Sequence, residues 1–322
     1  MSQPLLEVSH IKKYFPIQVG LLRRTVGHVK ALDDVSFHIA RGETLGIVGE
    51  SGCGKSTLGR MIMRVLDPTE GSILFEGQNL TELKGAKLRK ERRNFQMIFQ
   101  DPYASLNPKM KVTEIVAEPL FVNGLMTRKQ ATDQAFQLMK RVGLRESDGE
   151  RYPHQFSGGQ RQRIGIARAL ALSPKLIVAD EAVSALDVSI QAQILNLMMD
   201  LKKEFNLSYM FISHNLSVVR HLSDRVGVMY LGNMVEIGDK DKLYQGPLHP
   251  YTRALMASSP IVKRNQHREK VILQGEIPSP ANPPKGCPFH TRCPQAMDIC
   301  KAVKPALLEA VPGHAVACHL YE

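Results

Sequence analysis

Gly49-Glu50-Ser51-Gly52-Cys53-Gly54-Lys55-Ser56 satisfies the pattern G-x-x-x-x-G-K-[ST] at every fixed position. The residues before it, Thr44-Leu45-Gly46-Ile47-Val48, form a short apolar run bounded by glycine, which predicts a buried strand. Those after it, Thr57-Leu58-Gly59-Arg60-Met61-Ile62-Met63, have helical periodicity. Strand, glycine-rich loop and helix together make a phosphate cradle, because loop amides and a helix N-terminus both present positive potential to phosphate oxygens. The expected contacts come from the loop residues Gly49, Ser51, Gly52 and Gly54, with Lys55 on the β- and γ-phosphates. Ser56 would hold Mg²⁺ and Thr57 would lie beside it.

Working outward, Leu6-Glu7-Val8 and Val35-Ser36-Phe37-His38-Ile39 alternate apolar and polar, and residues 71–76 add a third such run. They predict an antiparallel β layer ahead of the phosphate loop. The pattern turns helical from Thr113 to Leu144 and again from Gly158 to about Leu172. Leu176-Ile177-Val178-Ala179-Asp180, Tyr209-Met210-Phe211-Ile212-Ser213 and Val226-Gly227-Val228-Met229-Tyr230 read as strands buried on both faces of a parallel sheet. A helix over Ile190–Phe205 bridges the first two. Composition shifts near residue 260, and Pro278, Pro280, Pro283, Pro284 and Pro288 predict an irregular segment beyond it.

The chain has 322 residues, 43% of them hydrophobic, enough for one large domain with a small extension. No apolar run approaches the length of about 18 residues that a membrane span needs. The N-terminus lacks the basic and apolar regions of a signal peptide, so a cytoplasmic protein, peripheral at most, is expected. The net charge of +11 concentrates in Lys84–Arg93 and at Arg23-Arg24. A solvated face, an anionic membrane surface and nucleic acid each fit such a run. No aromatic residue interleaves with it, which disfavours single-stranded nucleic acid.

A second constellation lies further on. Phe156-Ser157-Gly158-Gly159-Gln160 opens a helix, Asp180-Glu181 ends a buried strand, and Ser184-Ala185-Leu186-Asp187 follows. His214 ends the next strand, and Gln100 stands upstream after Phe95-Gln96-Met97-Ile98-Phe99. At these distances from a phosphate loop, the ordered set resembles the nucleotide-binding subunit of ATP-binding-cassette (ABC) transporters, over residues 5–260. The resemblance implies an α/β fold: a P-loop ATPase core with an N-terminal antiparallel β layer and an inserted helical subdomain at about 103–163. Residues 1–260 would form this domain, and residues 261–322 a small irregular cysteine-rich extension.

The same resemblance implies the roles. Asp180 would bind Mg²⁺ at the carboxyl edge of the sheet, and Glu181 would polarise the attacking water as general base. His214 would hydrogen-bond the γ-phosphate, and Gln100 would sense Mg²⁺ or the water. Ser157, Gly158, Gly159 and Gln160 would close over ATP held by a partner subunit, with Asp187 at that junction. Phe15, next to Tyr14, is the expected platform for adenine. Two positions depart from the wider pattern: Ala182-Val183 replaces Pro-Thr or Pro-Val, and Asn215 stands where Asp is common. Neither removes a catalytic group.

Three further stretches narrow the family: Asp101-Pro102-Tyr103-Ala104-Ser105-Leu106-Asn107-Pro108, Pro247-Leu248-His249-Pro250-Tyr251-Thr252, and the tail from Gly286 to Cys318. Together they resemble the oligopeptide/dipeptide importer ATPases. Gly20-Leu21-Leu22-Arg23-Arg24-Thr25-Val26-Gly27-His28-Val29-Lys30 resembles the second, F-type, of that family's paired ATPases. This implies a heterodimer with a sister ATPase, two membrane permease subunits, an external peptide-binding protein, and a place on the cytoplasmic face of the cell inner membrane. Import of a metal or glycoside is the nearest alternative. A soluble relative acting on nucleic acid or ribosomes is the more distant one, and the lack of an internal repeat or long coiled coil argues against it.

Four of the five cysteines, Cys287, Cys293, Cys300 and Cys318, lie in the last 36 residues. In a cytosolic chain such clustering points to metal before disulfide. The C-x2-C spacing of zinc ribbons is absent, and four thiolates suit a [4Fe–4S] cluster. The family tail points the same way, with zinc or reduced thiols as alternatives. His290, His314 and His319 are candidate substitute ligands.

Overall fold

The computed structural model describes residues 3–20, 23–258 and 275–322. The boundary expected near residue 260, and Leu21-Leu22 of the F-type segment, lie outside the described residues. In chain order the strands are β1 (Leu6–Val19), β2 (Arg24–Ile39), β3 (Thr44–Val48), β4 (Glu70–Phe75), β5 (Gln78–Asn79), β6 (Phe95–Ile98), β7 (Leu176–Asp180), β8 (Ser208–Ile212), β9 (Arg225–Tyr230), β10 (Asn233–Asp239), β11 (Leu308–Val311) and β12 (His314–Val316). The chain divides into two compact units, one of residues 1–82 with 212–322, the other of residues 83–211.

In the first unit, β1 and β2 pair antiparallel over most of their length, and β4 and β5 extend the layer in the order β2-β1-β4-β5. This is the antiparallel layer that the alternating apolar residues predict: Leu6, Val8, Ile11, Val35, Phe37 and Ile39 all turn to the buried face. A second set of strands runs β11-β12-β10-β9-β3. Here β3 and β9 are parallel, and every residue of β3 is buried, as its uninterrupted apolar run requires.

The C-terminal segment is less irregular than its prolines imply. Residues 275–296 carry no helix or strand, but Asp298–Ala302 is a short helix. After it β11 and β12 form a hairpin about Pro312-Gly313, with Gly313 at φ 74. β12 then pairs with β10, His314 opposite Gly238. The join is sealed by a buried carboxylate. Glu236, fully buried on β10, accepts hydrogen bonds from the N–H groups of Leu248 (2.7 Å) and His249 (3.0 Å), and lies 2.7 Å from His314 Nε2.

In the second unit, β8, β7 and β6 lie side by side in that order, β6 and β7 parallel with Ile98 opposite Ala179. The helical stretch expected from Thr113 to Leu144 is two helices, Val112–Val122 and Arg128–Arg141. The reason is local. Gly124 takes φ 67, and Thr127 caps the second helix in a capping box with Gln130. No helix among the described residues is long and apolar enough to cross a membrane.

Candidate functional site

The loop 49–54 joins buried β3 to the helix Lys55–Ile62. Two of its glycines are dictated by space and backbone. A Cβ on Gly49 would lie 2.2 Å from the carbonyl oxygen of Met229, and one on Gly54 2.4 Å from that of Ala31. Gly54 also takes φ 103 as the N-cap of the helix. Ser51 and Gly52 are exposed, while Ser56 and Thr57 are half-buried in the first helical turn. Lys55 is 5% exposed, and its Nζ donates to the carbonyl oxygens of Gly49 (2.8 Å) and Glu50 (3.0 Å). Its Nζ also lies 3.7 Å from Cys53 Sγ, and burial raises the pKa of that thiol. Cys53 is thus a small buried filler under the loop.

Phe15, half-buried on β1, pairs across to Val29 and carries Lys13 Nζ 5.2 Å from its ring centre. Its neighbour Tyr14 points elsewhere and donates its hydroxyl proton to Asp33. His214 is exposed just past β8, and Asn215 beside it caps the helix Leu216–Leu222, accepting from the N–H of Ser217 at 3.0 Å. Asn is as good an N-cap as Asp, so this replacement keeps the local fold and sheds one negative charge.

The second unit brings two predicted residues together. Ile98 and Ala179 are paired in register, so Gln100 and Glu181, each two residues further along, emerge at the same edge. Gln100 Nε2 donates to Glu181 Oε2 at 3.0 Å. Glu181 takes φ 47, a left-handed conformation that costs a non-glycine residue roughly 1–3 kcal/mol. Its carbonyl oxygen is held by the N–H and the hydroxyl of Ser184, at 3.1 and 3.0 Å. Asp180, one residue earlier at the end of β7, is 5% exposed. Ala182, where the wider pattern has proline, and Val183 are buried at 2% and 4%.

Ser157 caps the helix Gly158–Leu170 in a reciprocal box: its hydroxyl accepts from the N–H of Gln160, and its own N–H donates to Gln160 Oε1. The signal Ser-x-x-Gln for this box is present in the sequence, and reading the motif for anion binding alone overlooks it. A Cβ on Gly159 would approach Ile190 Cγ2 to 2.5 Å, so this glycine permits close packing on the helix Val188–Phe205. Ser157 and Gly158 remain exposed. Asp187 is exposed at the N-cap of that second helix without a side-chain capping bond, and Val188 next to it is 82% exposed.

In the tail, no group of three or more His, Cys, Asp or Glu side chains among the described residues is arranged to hold a metal ion. Burial, reinforced by Cys300, Cys318 and Cys293, pushes Cys287 up to about 11, and burial also raises Cys293 and Cys318. The three candidate histidines are committed elsewhere. His314 faces Glu236, His319 lies 3.0 Å from the carbonyl oxygen of Val303, and His290 lies 2.8 Å from that of Cys287.

Sequence reasoning missed the residues that grip the loop from behind. Tyr251 and Arg292 both bind Glu50. Tyr251 is placed by His249, which caps the helix Pro250–Ala257 by accepting the N–H of Tyr251 on Nδ1 (3.1 Å). Burial pushes His249 down to about 4, so the ring is neutral and Nδ1 is free of a proton.

Residues 32–184 match the profile of the ABC transporter family, and residues 235–300 match that of the oligopeptide/dipeptide transporter C-terminal region. The oligopeptide transport ATP-binding protein AppF of Bacillus subtilis is 60% identical over 323 residues, covering 99% of this chain and 98% of its own. The dipeptide transport ATP-binding protein DppF of Escherichia coli is 49% identical, covering 99% and 95%. Among solved structures, the ATP-binding cassette MJ0796, a dimer in a post-hydrolysis state bound to ADP and Pi, aligns with TM-score 0.65 and 29% identity over 73% of this chain and 98% of its own. A phosphate loop, a Gln–Glu pair at the strand edge and relatives matched nearly end to end all lead to one assignment: the chain belongs to the ATP-binding subunits of the oligopeptide/dipeptide family of ABC transporters.

Proposed function

We propose that this chain hydrolyses ATP to power the import of di- or oligopeptides, with residues 1–260 as the cassette, its helical subdomain at about 103–163, and residues 261–322 as a peptide-importer extension. The observation that carries the reading is near full-length similarity to transport proteins whose names specify oligopeptides and dipeptides. Phe15 stacks on adenine, while the amides of loop residues Gly49, Ser51, Gly52 and Gly54, with Lys55 and Thr57, bind the phosphates. Mg²⁺, when bound, neutralises phosphate charge; the Ser56 hydroxyl, Gln100 and the Asp180 carboxylate are the oxygen donors assigned to it, each of a kind that suits a hard cation. Glu181 takes the proton of the attacking water, and its bond to Gln100 fixes the direction of that carboxylate. His214 donates to the γ-phosphate.

The working unit is a sandwich with a sister ATPase, peripheral on the inner face of the cell membrane, on two permease subunits fed by an external peptide-binding protein. Exposed Ser157, Gly158 and Asp187, with Gly159 and Gln160 completing the helix N-terminus, close over the sister subunit's ATP. The dimeric cassette bound to ADP and Pi supports this arrangement. Cells carrying Lys55→Ala should lose uptake of a labelled tripeptide while keeping uptake of a glycoside. Unaltered peptide uptake would remove the assignment.

The tail is proposed to gather Cys287, Cys293, Cys300 and Cys318 about a [4Fe–4S] cluster of structural use. The support is that the tail carries four cysteines, three of them buried, in and just beyond the region that matches the oligopeptide/dipeptide transporter C-terminal profile. Anaerobically purified protein should then carry iron and acid-labile sulfide at about four each per chain. Zinc alone, or no metal, would overturn this part.

A further inference from the structure

The phosphate loop is gripped by residues far along the chain. The N–H of Glu50 donates to Tyr251 Oη at 2.9 Å. The carboxylate of Glu50 receives two parallel bonds from Arg292, Nη1 to Oε2 at 2.8 Å and Nη2 to Oε1 at 3.1 Å. Arg292 lies in the cysteine-rich extension, one residue before Cys293. Its side chain is only 6% exposed, against 25% for Glu50.

Stability does not account for this placement. Arg292 Nε is buried with no hydrogen-bond partner, and burying a guanidinium costs about as much as an ion pair returns. What surrounds the pair is a rigid mount. Phe289 packs on Tyr230 and Tyr251 with ring centres 5.2 and 5.5 Å away, and Arg292 sits over the Tyr230 ring at 5.8 Å. The pair solves a problem of charge. Glu50 is the second residue of a loop that must receive a polyanion, and a bare carboxylate there would repel it.

We propose that Arg292 is a positioning residue for ATP. It neutralises Glu50 and, with Tyr251, pins the first half of the phosphate loop, so that the C-terminal extension is a working part of the nucleotide site. The inference rests on the reading of loop 49–56 as an ATP site. The extension touches the adenine side as well. Lys304 Nζ donates to the backbone carbonyl of Asp33 at 2.9 Å, and the Asp33 side chain accepts the Tyr14 hydroxyl next to Phe15.

The test uses the full transporter complex and three variants of this chain: Arg292→Gln, Glu50→Gln and the double substitution. Arg292→Gln should raise KM for ATP about tenfold, a typical coupling between linked sites. Its kcat should stay within about twofold of wild type, since the defect lies in ground-state binding. Added salt should shrink the defect by screening the bared carboxylate. Adding Glu50→Gln to Arg292→Gln should restore most of the lost affinity, which a purely structural role would not allow. Should Arg292→Gln fail to fold, Arg292→Lys keeps the charge without the fork and should raise KM by less than tenfold. Saturable wild-type hydrolysis with an unchanged KM in the Arg292 variants, or a double variant no better than the single, overturns this proposal alone. Absence of saturable hydrolysis in the wild type overturns the ATP-site reading and this inference with it.

Discussion

Glu181→Gln is expected to slow ATP hydrolysis at its half-site by about a hundredfold or more, the usual contribution of a positioned general base. The substitution removes basicity and little else. A glutamine has the same length and can accept the amide hydrogen of Gln100 on its own oxygen, so the bond that now spans 3.0 Å survives. Its backbone tolerates the left-handed conformation no worse than glutamate does. ATP binding should therefore persist while turnover stops, and the proposed ATP-bound sandwich should accumulate. Single-turnover hydrolysis together with size-exclusion chromatography in ATP would read both effects. Undiminished hydrolysis at this half-site would remove Glu181 as the base.

Glu236→Ala should destabilise the first unit by about 3–5 kcal/mol, the cost of removing one partner from a buried, hydrogen-bonded pair. Three groups lose their acceptor at once: the N–H of Leu248, the N–H of His249 and the ring of His314. Glu236 and His314 are 0% and 2% exposed, so water cannot replace the lost bonds. The loss should also release the β11–β12 hairpin from β10, because His314 is the first residue of β12. Denaturant titration should show the lowered midpoint, and amides of residues 314–316 should lose protection from hydrogen exchange. Glu236→Gln keeps one acceptor oxygen and should cost less. A change below about 1 kcal/mol in Glu236→Ala would mean that the network is dispensable.

The parts legible in the sequence are those with short-range signals. Buried strands such as 176–180 announce themselves by unbroken apolar runs, and the structure places β7 over those residues. The phosphate loop is legible because its glycines are forced by contacts with Met229 and Ala31. The break between the helices Val112–Val122 and Arg128–Arg141 was written in Gly124 and in Thr127-x-x-Gln130, but helical periodicity on either side masks it. The C-terminal hairpin is hidden among prolines, since its strands are only four and three residues long. What no local pattern reveals is the grip on Glu50. Its two anchors lie 201 and 242 residues away, and an arginine or a tyrosine at such a distance looks like any other.

The central claim is tested most directly in proteoliposomes holding this chain, its sister ATPase and the two permease subunits, by measuring ATP hydrolysis with the external binding protein added. Peptide-loaded binding protein should stimulate hydrolysis well above the rate with unloaded protein, and Glu181→Gln in this chain should suppress the stimulated rate. Stimulation by a metal- or glycoside-binding protein instead, or hydrolysis indifferent to peptide, would contradict the account.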